Sequence, residues 1–186
     1  MPQETYIALL RGVNVGLKGR VSMSDLAHCF SAIGFRDVQT YINSGNVLFS
    51  YDYHPLNVIQ DRCEKALLDC FGFSIPCVIL TGDDLNAIRH EAPVWWGKDQ
   101  DSKHNAIFVI APKTSSVILE ELGELKPDYE RVHCIRNIIL WTAPLKTFSR
   151  TRWSTVVGTP NYAWITIRNA NTVFKLIELY SKREIT

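Results

Sequence analysis

No run in this chain approaches the roughly 18 consecutive apolar residues of a membrane-spanning helix, so a transmembrane protein is not expected. The amino terminus, MPQETYIALLRG, lacks the basic start and small-residue cleavage site of a secretory signal. The five cysteines (Cys29, Cys63, Cys70, Cys77, Cys134) form no C-x-x-C pair, and an odd count suits a reducing compartment. A cytosolic, cytoplasmic protein is the expectation. The histidines (His28, His54, His90, His104, His133) are scattered, and none stands four residues from another in metal-ligand spacing. There is no G-x-S-x-G elbow, no G-x-G-x-x-G fingerprint and no phosphate loop ending in Gly-Lys-Ser/Thr. Nothing calls for a metal or a cofactor, and no reaction is named by a motif.

What is present is ordinary in bulk and uneven in detail. At 186 residues, 46% hydrophobic and 21% charged, the chain suits one folded domain or two small ones. The net charge of +1 hides a segregation: Arg131 to Lys175 holds seven cations and no acid, while acids gather in EELGELKPDYE. Such a field can steer an anionic partner, or simply solvate a face.

The periodicity predicts two rounds of the same element order. YIALLR reads as a buried strand. Ser22 and Asp25 form a capping box ahead of a helix whose Met23, Leu26, Ala27, Phe30 and Ile33 share one face, with Gly34 as its stop. DVQTYI and VLFS make a hairpin, with Ser44-Gly45 at the tip of NSGN. A helix from Leu56 to Phe71 follows, its stripe including Cys63 and Cys70 as core. IPCVIL is a strand, and Thr81 with Asp84 boxes a short helix before Pro93. The second round runs through HNAIFVI, TSSVILEEL, a hairpin around Arg136-Asn137, a helix over KTFSRTRWSTVV, the strand YAWITI, and a last helix carrying Val173, Leu176, Ile177 and Tyr180. The expected fold is α+β: two ferredoxin-like (βαββαβ) subdomains in tandem, each followed by an extra helix. Residues 1–92 form the first, 93–104 a polar linker and 105–186 the second.

This topology, with strand order 4-1-3-2, brings the end of the first strand to the strand 2–3 turn. RGVNVG should therefore meet NSGN, and IRNANT should approach WWGKDQDSKHN. In the first cluster, glycines permit backbone N–H groups to converge on an anion, with Arg11, Asn14, Lys18, Asn43, Ser44 and Asn46 around it. The competing reading is turn chemistry, with Gly12 and Gly16 at positive φ. In the second, Arg168, Asn169, Asn171 and Thr172 sit where a strand passes into a helix, and a guanidinium plus a helix N-terminus suits a phosphate or carboxylate. The bland alternative has Asn171 as the N-cap and Arg168 solvated or paired with Asp99 or Asp101.

YIALLRGVNVG, TYINSGNVLFS and ITIRNANTVFKL, in this order and spacing, resemble an uncharacterised bacterial family, domain-of-unknown-function family 1697. Gly16-Leu17-Lys18 stands where members often carry Gly-Gly-Lys. The resemblance implies a two-lobed α+β fold and a bacterial cytosolic protein, and it supplies no activity. Three functions stay open. The first is a module binding a small phosphorylated, nucleotide-like ligand. The second is a nucleic-acid binder using its sheets and the cations and aromatics of KTFSRTRWST. The third is a protein-interaction module using Trp95-Trp96. The oligomeric state has no signature.

Overall fold

The structure, a computed structural model, describes residues 3–14 and 20–184. The chain divides into two compact units between Leu85 and Asn86. In the first, β1 (Gln3–Leu10), α1 (Met23–Ala32), β2 (Arg36–Tyr41), β3 (Asn46–Asp52), α2 (Leu56–Phe71) and β4 (Cys77–Thr81) follow the expected order. The sheet order is β2-β3-β1-β4, with all neighbours antiparallel. The local rules that predict these elements are visible as bonds. Asp25 N–H donates to Ser22 Oγ at 3.0 Å, opening α1. Gly72, at φ +77°, closes α2 by donating to Leu68 O at 2.8 Å. Tyr6, Ala8 and Leu10 of β1 join Phe30, Phe49, Ile59 and Cys63 in one core. Cys63 is buried as expected, but Cys70 is exposed, while Phe71 beside it still packs against the core.

Two details of the first hairpin differ from the sequence reading. The turn is four residues, Ile42 to Gly45, closed by the Tyr41–Asn46 pair, not a two-residue Ser44-Gly45 tip. Asn46 explains it, because its buried amide donates to Tyr41 O and to Ser44 Oγ, both at 2.9 Å. Ile42 takes φ +47° there, a left-handed conformation that a β-branched residue rarely adopts.

α3 (Gly82–Glu91) is boxed as expected, Thr81 N–H donating to Asp84 Oδ2 at 2.9 Å. Residues 93–104 are the polar segment expected to join the two subdomains. They belong to the second unit, where Trp96 is buried against Phe174 and β5 begins at Ser102.

That unit repeats the topology with β5 (Ser102–Val109), α4 (Ser115–Glu121), β6 (Arg131–Ile135), β7 (Ile138–Pro144), β8 (Ile165–Asn169) and α5 (Ala170–Glu184), in the order β6-β7-β5-β8. Ile107, Ile118, Ile139, Trp141, Trp153 and Ile165 are members of its core. The helix expected over KTFSRTRWSTVV is absent. Residues 145–164 form three consecutive 3-10 segments instead, Leu145–Arg150, Arg152–Gly158 and Pro160–Trp164. The hydroxyls fit this geometry. Thr151, Thr155 and Thr159 each donate to the carbonyl three residues back, at 2.8, 3.0 and 2.8 Å. Tight turns of this kind compete with the α-helical ladder.

Among the described residues no helix is long and apolar enough to cross a membrane, and no group of His, Cys, Asp or Glu is placed to hold a metal ion.

Candidate functional site

The first predicted cluster is brought together within the first unit. Leu10 N–H donates to Gly45 O and Arg11 N–H to Pro76 O, both at 2.8 Å, so β1 runs out against the turn. Asn14, at φ +56°, uses its whole amide as a clasp. Its Nδ2 donates to Val21 O at 2.8 Å and Asn43 O at 2.9 Å, while its Oδ1 accepts from Val21 N–H at 2.9 Å. Both ends of the loop are thereby tied to the hairpin by one side chain. Asn46 and Ser44 are engaged in the turn itself. Arg11 is half-buried and Asn43 exposed, and Lys18 lies outside the described residues. Asn14→Ala removes three bonds and should destabilise the protein by about 1–3 kcal/mol. The midpoint of urea unfolding measures this, and a loss below about 0.5 kcal/mol would contradict the clasp.

The second cluster also assembles. Arg168 on β8 stands opposite Ala106 of β5, and Asn169 opposite Asn105. Trp96 Nε1–H donates to Asn105 O at 3.1 Å, and a Cβ on Gly97, at φ +75°, would fall 2.7 Å from the Phe174 ring of α5. Arg168 is 6% exposed, and burial lowers its pKa to about 10, which leaves the guanidinium charged at neutral pH. Its Nη1 donates to Thr166 Oγ1 at 2.8 Å and Ile167 O at 2.9 Å. The N-cap of α5 is Asn169, not Asn171: Asn169 Oδ1 accepts Thr172 N–H at 2.8 Å. Asn171 projects from the first turn, exposed, and Thr172 is buried. Asp99, one acid considered for Arg168, lies beside His104.

The aromatic and basic segments are differently arranged from a stacking platform. Trp153 is in the core, Lys103 Nζ lies 3.9 Å from the centroid of Phe148, and Arg150 sits over Tyr129 at 5.4 Å. In the first sheet Tyr6 and Phe49 stack on each other within the core, while Ile7, Leu9 and Leu48 alternate with them along the strands.

Two buried polar groups escape the sequence reading. Glu130, 2% exposed, accepts from Arg152 Nε at 2.7 Å and from Trp141 Nε1 at 3.1 Å. His104 on β5 meets Thr142 on β7 and Asp99 in the preceding segment. The partners lie 22 residues apart in one case and 38 in the other, and no spacing rule spans that. Thr142, Asp99 and Glu130 line a cleft of about 210 Å³, with Trp95 and Tyr129 at its sides.

Among curated proteins no match is found. A solved structure, that of conserved bacterial protein SP0830 from Streptococcus pneumoniae, is similar, with a TM-score of 0.85 and 26% identity over 95% of this chain and 98% of that one. A family described as "Protein of unknown function (DUF1697)" matches residues 3–139, a span that ends before Arg168. With most of its length matched, from β1 into β7, the chain belongs to the DUF1697 family.

Proposed function

We propose that the protein binds a small phosphate-bearing anion, of the nucleotide or sugar-phosphate class, at the N-terminal end of α5. The observation that carries this is the placement of Arg168. Buried Arg168 stands two residues before a 15-residue helix begins, its guanidinium bonded back to Thr166 Oγ1 and Ile167 O, and the positive end of the helix dipole follows it in the chain. An anion bound at the helix start would gain from both positive potentials. The exposed amide of Asn171 stands in the first turn as a further donor. Asn14 and Asn46 serve as scaffold in this reading, because their amides are engaged in the loop and the turn.

Thermal unfolding against mononucleotides, dinucleotides and sugar phosphates at fixed salt tests the proposal. A ligand at about a hundred times its dissociation constant adds roughly 2.7 kcal/mol, on the order of 5–10 °C for a chain of this size. The shift should vanish in Arg168→Ala and shrink in Asn171→Ala, whose exposed site leaves the fold intact. No shift with any of these ligands would overturn the assignment.

A further inference from the structure

Thr142 occupies the middle of a row of three side chains across the second sheet. Its register partners are His104 on β5 and Arg131 on β6. Residues directly opposite each other project from the same face, with Cβ atoms roughly 4.5–5.5 Å apart. The row therefore reads imidazole, hydroxyl, guanidinium. Thr142 is 6% exposed and His104 9%, whereas Arg131 is exposed.

The hydrogen bonds fix how the imidazole is used. His104 Nε2 lies 3.0 Å from Asp99 O and 3.4 Å from Asp99 Oδ2, and both neighbours are acceptors. In the neutral ring the proton is therefore on Nε2, and Nδ1 offers a lone pair. Thr142 Oγ1 is 2.7 Å from Nδ1, so the hydroxyl donates its proton to that nitrogen. A hydroxyl bonded to an unprotonated imidazole whose far side faces a carboxylate is the arrangement of an activated nucleophile. Both ends of it line the same cleft.

We propose that Thr142 and His104 form a catalytic pair for small carboxylic esters, with Asp99 as the positioning residue and Arg131 on the oxyanion. Thr142 Oγ1 attacks the carbonyl carbon and forms the new C–O bond as its proton passes to His104 Nδ1. The carbonyl electrons move onto oxygen, where Arg131 meets the charge. Collapse breaks the bond to the alcohol, which leaves with the proton from Nδ1. Water, losing its proton to the same nitrogen, then attacks the acyl-threonine, and Thr142 departs with that proton. Ester and water become acid and alcohol, and the cycle balances on those alone. The cleft, at about 210 Å³, is smaller than the roughly 300–1,000 Å³ of pockets for drug-sized ligands, so the acyl chain is short.

The probe is 4-nitrophenyl acetate, with nitrophenolate release followed by colour and the acid-quenched protein mapped by peptide mass spectrometry. The expected result is acetylation at Thr142, retained in Thr142→Ser and abolished in Thr142→Val. His104→Gln should slow acetylation roughly a hundredfold or more, while Asp99→Asn slows it with the acetyl group still on Thr142. Acetylation confined to lysines, or equal release by wild type and Thr142→Val, would overturn the proposal. Should Thr142→Val fail to fold, the wild-type peptide map decides alone.

Discussion

Glu130→Ala lowers the unfolding temperature by about 6–20 °C, an effect expected from a buried carboxylate held in an ion pair. The Glu130 side chain is 0% exposed and the Arg152 side chain 7%, and their ion pair measures 2.7 Å. Removing one partner strands the other charge out of water, which costs about 3–5 kcal/mol. Each kcal/mol corresponds to roughly 2–4 °C for a chain of this length. Arg152→Ala should cost a similar amount, because Arg152 also donates to Gly123 O from Nη1 and so ties the loop after α4 to the 3-10 segments. The double variant Glu130→Leu/Arg152→Met recovers most of the loss, since a buried pair replaced by apolar side chains is often neutral. Recovery is incomplete because Trp141 Nε1 loses its acceptor, at about 1–3 kcal/mol. Calorimetry of the three variants measures all of these effects. Single substitutions costing less than about 1 kcal/mol would show that the pair behaves as a surface ion pair.

Gly45→Ala should destabilise the first unit by about 2–5 kcal/mol, as left-handed strain of about 1–2 kcal/mol and overpacking of about 1–3 kcal/mol add. The backbone of Gly45 is at φ +73°, and a Cβ there would lie 2.5 Å from Val13 Cγ2 and 2.8 Å from Leu10 Cβ. Leu10 Cβ is fixed to the end of β1, so that contact cannot swing aside. Gly12 provides the comparison. It has φ +71° but nothing within 4 Å of the place a Cβ would take, so Gly12→Ala should cost the strain alone, about 1–2 kcal/mol. Urea unfolding of both variants isolates the close approach of the turn to the loop. Equal losses would mean that conformation, not contact, makes Gly45 necessary.

What is legible in the amino-acid sequence is local. Ser22 with Asp25 and Thr81 with Asp84 announce helix starts, because a cap needs only a side chain and a backbone N–H a few residues away. The strand order follows from element order once both rounds are recognised. The 3-10 run over residues 145–164 is hidden because KTFSRTRWSTVV has helical spacing of its large residues, and the vote of Thr151 and Thr155 for tighter turns is cast in hydrogen bonds that hydrophobic periodicity does not weigh. Asn169 and Asn171 are equally good caps by composition; the register of β8 against β5 decides between them. Glu130 sits at the end of an acidic stretch and reads as solvated, yet Arg152 and Trp141 enclose it from other segments. Of the candidate site, the meeting of Arg11–Asn14 with Asn43–Asn46 is readable from topology, while the row through Thr142 depends on register, which no single segment encodes.

The two asparagine clasps have a consequence for how such a chain can diversify. In the first unit Asn14 reaches from the loop to the hairpin; in the second, Asn137 reaches from the hairpin to the loop, accepting Ser115 N–H at 2.6 Å and donating to Val109 O and Lys113 O at 3.3 and 3.4 Å. One amide thus sets where each loop leaves the sheet and where its helix resumes. A substitution at an exposed position such as Ala111 or Pro112 therefore changes the chemistry of a loop whose ends stay clasped to the sheet.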